Sequence, residues 1–129
     1  ILSDKFSEFS GKDGIIRIPQ FSNDKGCIHA FYKYYIFVQE KNMNNNWSRD
    51  RIISEISSKG VPCMHGSCSE VYLEKAFDNT NYRPHERLPV AKQLGETSVV
   101  FLVHPTLSKH EMYDIAEIAT CVFNEAIGK

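Results

Sequence analysis

The chain has 129 residues, 15 basic and 16 acidic for a net charge of −1, with 42% hydrophobic and 24% charged residues. That length fits one domain burying roughly two thirds of the surface its unfolded form exposes, and excludes a second full domain. Scattered lysines and arginines in a near-neutral chain exclude an electrostatic footprint for nucleic acid, and no stretch approaches the roughly 18 apolar residues that span a bilayer.

In chain order, residues 1–9 read as the tail of a helix in which Leu2, Phe6 and Phe9 share a face, so the chain is expected to be a piece of a longer polypeptide. Residues 15–18 form a short strand ending at Pro19, and residues 20–26 form a turn. The strongest strand signal runs over 27–39. One alternating set, Ile28, Ala30, Tyr32, Tyr34, Ile36 and Val38, is expected in the core. The other set, which includes Lys33, Tyr35 and Phe37, is expected to face a partner or ligand.

Residues 41–46 are a polar loop, after which Ser48 caps a helix with Ile52, Ile53 and Ile56 on one stripe, stopped at Gly60. A short strand over 61–64 follows, then short helices, then an apolar strand over 97–103. Ser108 and Glu111 form a capping box, with Leu107 and Met112 at staple positions. They open a long helix that carries Ile115, Ile118, Ala119, Val122 and Ala126 and ends at Gly128. The pattern predicts an α+β fold: a small, mainly antiparallel sheet of three to four strands with helices packed on it.

Three groups of residues suggest chemistry. The segment His65, Gly66, Ser67, Cys68 and Ser69 precedes SEVYLEKAF, where Ser67 and Glu70 have capping-box spacing. A helix N-terminus there would offer free N–H groups to a carboxylate or phosphate, whereas the simpler reading makes Ser67 only a cap and Gly66 only a turn. Cys27/His29 and Cys63/His65 repeat a C-x-H spacing that suits zinc poorly, since structural sites favour C-x2-4-C and H-x3-5-H, so no metal is expected. Cys68 at a helix start would have a lowered thiol pKa, which defines a cysteine-enzyme alternative with no orienting partner identifiable in the sequence. Lys33 and Arg83 are further candidates for a phosphate. The four cysteines, Cys27, Cys63, Cys68 and Cys121, follow no secretory signal, and a reducing cytoplasm is expected.

HAFYKYYIFV (29–38), GVPCMHGSCSEVYLEKAF (60–77) and RLPVAKQLGETSVVFLVHPTLS (87–108) occur in order across nearly the whole chain. Together they resemble the C-terminal small domain of the DegT-type family of pyridoxal-phosphate-dependent sugar aminotransferases, of fold type I. The resemblance implies that residues 1–129 are one domain of a longer enzyme, a homodimer. That enzyme would move an amino group from glutamate to a nucleotide-linked keto-sugar. The cofactor, pyridoxal 5'-phosphate, and its lysine would belong to the domain upstream, so the fragment alone is expected to be inactive.

By position, His65, Gly66, Ser67, Cys68, Ser69 and Tyr72 would line the substrate side of the pocket, with Lys33, Tyr35 and Arg83 as further sugar or nucleotide contacts. Many relatives have a histidine where Cys68 falls, so an anion contact would pass to His65 or the helix end. Two alternatives stay open: a sugar dehydratase of the same family, and a stand-alone ligand-binding or interaction module that uses the aromatic second face of the long strand.

Overall fold

The structure, a computed structural model, describes residues 1–20, 26 and 29–129. Helix α1, Leu2–Phe6, continues as a 3-10 turn over Ser7–Phe9, and Leu2, Phe6 and Phe9 are all buried, as their spacing predicts. Strand β1 is Ile16–Arg17 and β2 is Lys33–Val38. Helix α2 is Arg49–Ser58, with the Ser48 hydroxyl accepting the Arg51 N–H at 3.2 Å. Gly60, at φ +87°, supplies the left-handed residue that ends it, with the Val61 N–H returning to the Ile56 carbonyl at 3.4 Å.

Strand β3 is Cys63–His65, α3 is Pro89–Thr97 and β4 is Ser98–Leu102. The long helix α4 is Lys109–Ile127. Its start is the predicted capping box: the Ser108 hydroxyl accepts the Glu111 N–H at 3.2 Å, and the Ser108 N–H donates to the Glu111 carboxylate at 2.7 Å.

The four strands form one sheet in the order β1-β2-β4-β3, antiparallel throughout. The fold is therefore α+β. Pairing of Tyr34 with Phe101 and of Ile36 with Val99 puts these side chains on one face, together with Val38 and Cys63. Helices α1, α2 and α4 bury that face. Phe6, Phe9, Phe101 and Phe123 fill its centre, with ring centroids 5.2 to 5.4 Å apart in tilted and edge-on pairs. Such pairs add about 0.5–1.5 kcal/mol each beyond the area they bury. Phe123 and Ala116 are buried on α4 alongside the predicted Ala119, Val122 and Ala126.

The long strand is shorter than its pattern suggests. Tyr34, Ile36 and Val38 are buried as expected, but β2 begins only at Lys33, Ala30 is exposed and Tyr32 is 85% exposed. Phe31 adopts φ +45°, with its N–H donating to His29 Nδ1 at 2.9 Å. This conformation cannot continue a ladder, so the alternation in the sequence outruns the backbone. Cys27 and Ile28, and most of the predicted turn, lie outside the described residues.

The second sheet face carries Lys33, Tyr35 and Phe37 on β2, opposite Leu102, Val100 and Ser98 on β4. The loop after β3 settles against this face.

Candidate functional site

Two backbone N–H groups of that loop are already bonded. Gly66 N–H donates to the Ser98 hydroxyl at 3.2 Å, and Ser67 N–H donates to the Tyr35 hydroxyl at 3.3 Å. The Tyr35 and Ser67 hydroxyls also share a 2.9 Å hydrogen bond, which holds the Tyr35 pKa below its usual value, with smaller help from the Lys33 charge. Position 66 accepts only glycine here for reasons of space: a Cβ would stand 2.4 Å from Ser98 Oγ.

The predicted helix after Ser67 does not form. Ser67 caps nothing, and residues 71–77 make two 3-10 turns, Val71–Leu73 and Lys75–Phe77. The anion cradle at a helix end is therefore overturned, and with it the dipole that would activate Cys68. Side chains from downstream account for the difference. Glu70, expected to complete the cap, instead takes both arms of Arg87 at 2.6 and 2.5 Å and the Tyr72 hydroxyl at 2.7 Å. Arg87 holds the Glu70 carboxyl down at about 2.

Arg83 donates to the carbonyls of Tyr72, Leu73 and Glu74 and pairs with Asp78 at 2.6 Å. Its guanidinium thus binds the loop's own backbone, occupying acceptors that a helix would have satisfied internally. The Tyr72 hydroxyl accepts the Leu88 N–H at 2.9 Å; burial, first of all, and the Glu70 bond raise its pKa. Arg83 and Tyr72 thus fasten the loop.

The remaining predicted residues fall as follows. Cys68 is exposed, and its Sγ faces the Glu74 carboxylate at 3.5 Å. Ser69 packs on α3, where its hydroxyl would lie 2.3 Å from a Cβ at Gly95. Lys33 is half-buried, its Nζ 5.5 Å from the centre of the Tyr32 ring, and pairs with no carboxylate among the described residues. It lines an open cleft of about 460 Å³ with Tyr32, Leu102 and Pro105.

His65 is exposed, and its Nε2 lies 3.1 Å from Asp50 Oδ1 in the first turn of α2. The structure thus brings Ser67 and Tyr35 together on the second sheet face, with Lys33 two residues further along the same face of β2, whereas His65 pairs with Val99 and lies toward the helix side of β3, beside Asp50. Sequence reasoning missed Asp50, Arg49 and Ser98, which support this group. Ser98 is the one buried polar residue among the described residues and stands at the head of the apolar run 99–103, which was its only signal.

No described helix is long and apolar enough to cross a membrane. Among the described residues no three His, Cys, Asp or Glu side chains gather as metal ligands. Cys63 and His65 share a sheet face, but Cys63 is buried in the core, where burial pushes its thiol up to about 12.

The model of the DegT/DnrJ/EryC1/StrS aminotransferase family matches residues 2–120. An aminotransferase from Psychrobacter cryohalolentis is similar in structure at a TM-score of 0.83 and 48% identity, over 97% of this chain and 31% of that one. The aminotransferase TlmJ from Streptoalloteichus hindustanus (TM-score 0.73, 15% identity) is matched over 96% of this chain and 29% of its own. A DegT DnrJ EryC1 StrS aminotransferase from Brucella abortus (TM-score 0.69, 20% identity) is matched over 99% and 29%. These last two show the fold alone. No curated protein matches the chain. The chain spans about a third of the length of the solved relatives, and it belongs to the DegT/DnrJ/EryC1/StrS aminotransferase family.

Proposed function

We propose that residues 1–129 are the small C-terminal domain of a longer, homodimeric, cytoplasmic enzyme that uses pyridoxal 5'-phosphate to move an amino group from glutamate to a nucleotide-linked keto-sugar. In this reading the loop from His65 to Tyr72 lines the sugar side of the pocket. The observation that carries it is the anchoring of that loop on the second sheet face by Ser98 and Tyr35, which sets the Ser67 and Tyr35 hydroxyls side by side, with the exposed His65 at the start of the loop. Hydroxyl and imidazole groups fixed from behind suit a polyhydroxylated ligand, for which each must both donate and accept. The Lys33 cation, with Tyr32 beside the open cleft, would meet the phosphates and base at the nucleotide end.

The chain's own residues do not fit the cofactor. A Schiff-base lysine is desolvated or set beside another cation, whereas every described lysine is exposed or, at Lys33 and Lys92, only half-buried. The rest of the longer enzyme would supply cofactor and base. This domain would orient the sugar and help exclude water as the pocket closes.

The test uses the full-length protein with pyridoxal phosphate, glutamate and a panel of nucleotide-linked keto-sugars. Formation of 2-oxoglutarate together with an amino-sugar is expected. Cofactor absorbance without amino transfer to any keto-sugar would refute the substrate class, and a full-length protein with no cofactor absorbance would favour a non-catalytic relative.

A further inference from the structure

A closed circuit of polar contacts runs behind the candidate site. The Arg49 Nε–H donates to Asp50 Oδ1 at 2.6 Å, and the same oxygen lies 3.1 Å from His65 Nε2. One guanidinium nitrogen of Arg49 donates to the carbonyls of Gly95 at 3.1 Å and Ser98 at 3.2 Å, joining the end of α3 to the start of β4. The Ser98 hydroxyl accepts the N–H of Gly66, the residue next to His65. The Arg49 backbone N–H is itself fixed on Glu40 at 2.8 Å, and its side chain is only 15% exposed. Arg49 is therefore a half-buried hub, and Asp50 is its exposed arm toward the loop.

We propose that Asp50, held by Arg49, is the positioning residue of His65: it fixes the ring so that Nδ1, and not Nε2, faces the ligand. This rests on the reading that the loop lines the sugar side of the pocket. The reasoning is one of donor and acceptor. An ionised carboxylate only accepts, so the His65 nitrogen beside it must carry the proton. The neutral ring then presents an unprotonated Nδ1, an acceptor for a sugar hydroxyl. A ring without Asp50 is free to turn or change tautomer, and the acceptor is lost part of the time.

Both donors meet the same oxygen, so the charge of Asp50 is dispensable while the oxygen is not. Asp50→Asn can keep Oδ1 in place, since an amide nitrogen there would confront two donors. Asp50→Ala removes it. Asp50 is 71% exposed, so neither change should unfold the chain.

The experiment labels the full-length protein with 15N-histidine, assigns His65 by His65→Gln, and reads the tautomer from the ring nitrogens at a pH where the ring is neutral. A single Nε2–H form is expected in the wild type and in Asp50→Asn, and a mixture in Asp50→Ala. In turnover, KM for the keto-sugar should rise about 3- to 10-fold in Asp50→Ala with kcat little changed, the loss of about one neutral hydrogen bond, and should return in Asp50→Asn. An Asp50→Ala ring spectrum identical to wild type overturns the positioning role whatever the kinetics. An altered ring with KM unmoved in both Asp50→Ala and His65→Ala overturns the site reading instead, and with it any consequence for the ligand.

Discussion

Replacing Gly66 by alanine asks whether the loop is locked to the sheet. The new Cβ would stand 2.4 Å from Ser98 Oγ, 2.8 Å from Ser98 Cβ and 3.0 Å from Tyr35 Cε1, all inside ordinary contact. Ser98 is 4% exposed and its hydroxyl is the acceptor for Gly66 N–H, so it cannot turn aside without breaking that bond. Overpacking of this kind costs about 1–3 kcal/mol. The broken hydrogen bond adds about 0.5–1.5 kcal/mol. Gly66→Ala should therefore lower stability by roughly 2–4 kcal/mol in urea unfolding, or open the loop locally and lower amide protection at positions 66 and 67 by about 30- to 1,000-fold. Ser98→Gly removes two of the three close atoms, so the Gly66→Ala penalty measured in that background should fall below about 1 kcal/mol. A Gly66→Ala chain within about 0.5 kcal/mol of wild type, with unchanged protection at 66 and 67, would refute the lock.

Phe123→Ala should cost about 3–5 kcal/mol in the same unfolding assay, because its ring is fully buried between Phe6 and Phe9; a loss under 1 kcal/mol would contradict the packing described. Ser108→Ala removes one half of the capping box of α4 and should cost about 0.5–2 kcal/mol. Glu70 should titrate near 2 by NMR and return toward the ordinary carboxylate range in Arg87→Ala. Its folded-state value is depressed, so the stabilisation by this pair is fully present above the unfolded value near 4.5 and is lost as pH falls toward 2. Limiting alkylation of the native chain at neutral pH should modify Cys68 and Cys121 and spare Cys63, whose thiol is buried and pushed up to about 12; modification of Cys63 at the rate of Cys121 would contradict its burial.

The elements legible in the sequence are those whose signals are local. Ser48 and the Ser108–Glu111 box cap the helices they announce, because a capping residue and the N–H it satisfies lie within one turn of each other. Tyr34, Ile36 and Val38 alternate into the core because one sheet face is covered by helices. The same alternation misreads Ala30 and Tyr32, since nothing in a period of two records that Phe31 turns left-handed and ends the ladder. Of the site residues named from resemblance, His65 to Tyr72 fall on one loop while Lys33 and Tyr35 lie on β2 and Arg83 lies downstream; which of them anchor the loop was not legible. Arg83 and Tyr72, named in the sequence as ligand contacts, also fasten the loop, through backbone partners that spacing does not reveal.

Ser67 and Glu70 have the spacing that works at Ser108 and Glu111, yet only the second pair makes a box. The two differ in what competes for the glutamate. Glu111 has its own N-cap amide as partner, whereas Glu70 is claimed by Arg87, 17 residues downstream, in a bidentate pair that a local cap cannot match. Once Glu70 is taken, Ser67 is released to Tyr35, and the carbonyls a helix would have used pass to Arg83. The loop is thereby held by three distant points, at β2, β4 and the 83–87 segment, instead of by its own hydrogen bonds. A helix would have presented N–H groups suited to an anion. Under the proposed function, the anchored loop offers instead an imidazole at its start and the Ser67 hydroxyl bonded to that of Tyr35, groups that both donate and accept as a polyhydroxylated ligand requires.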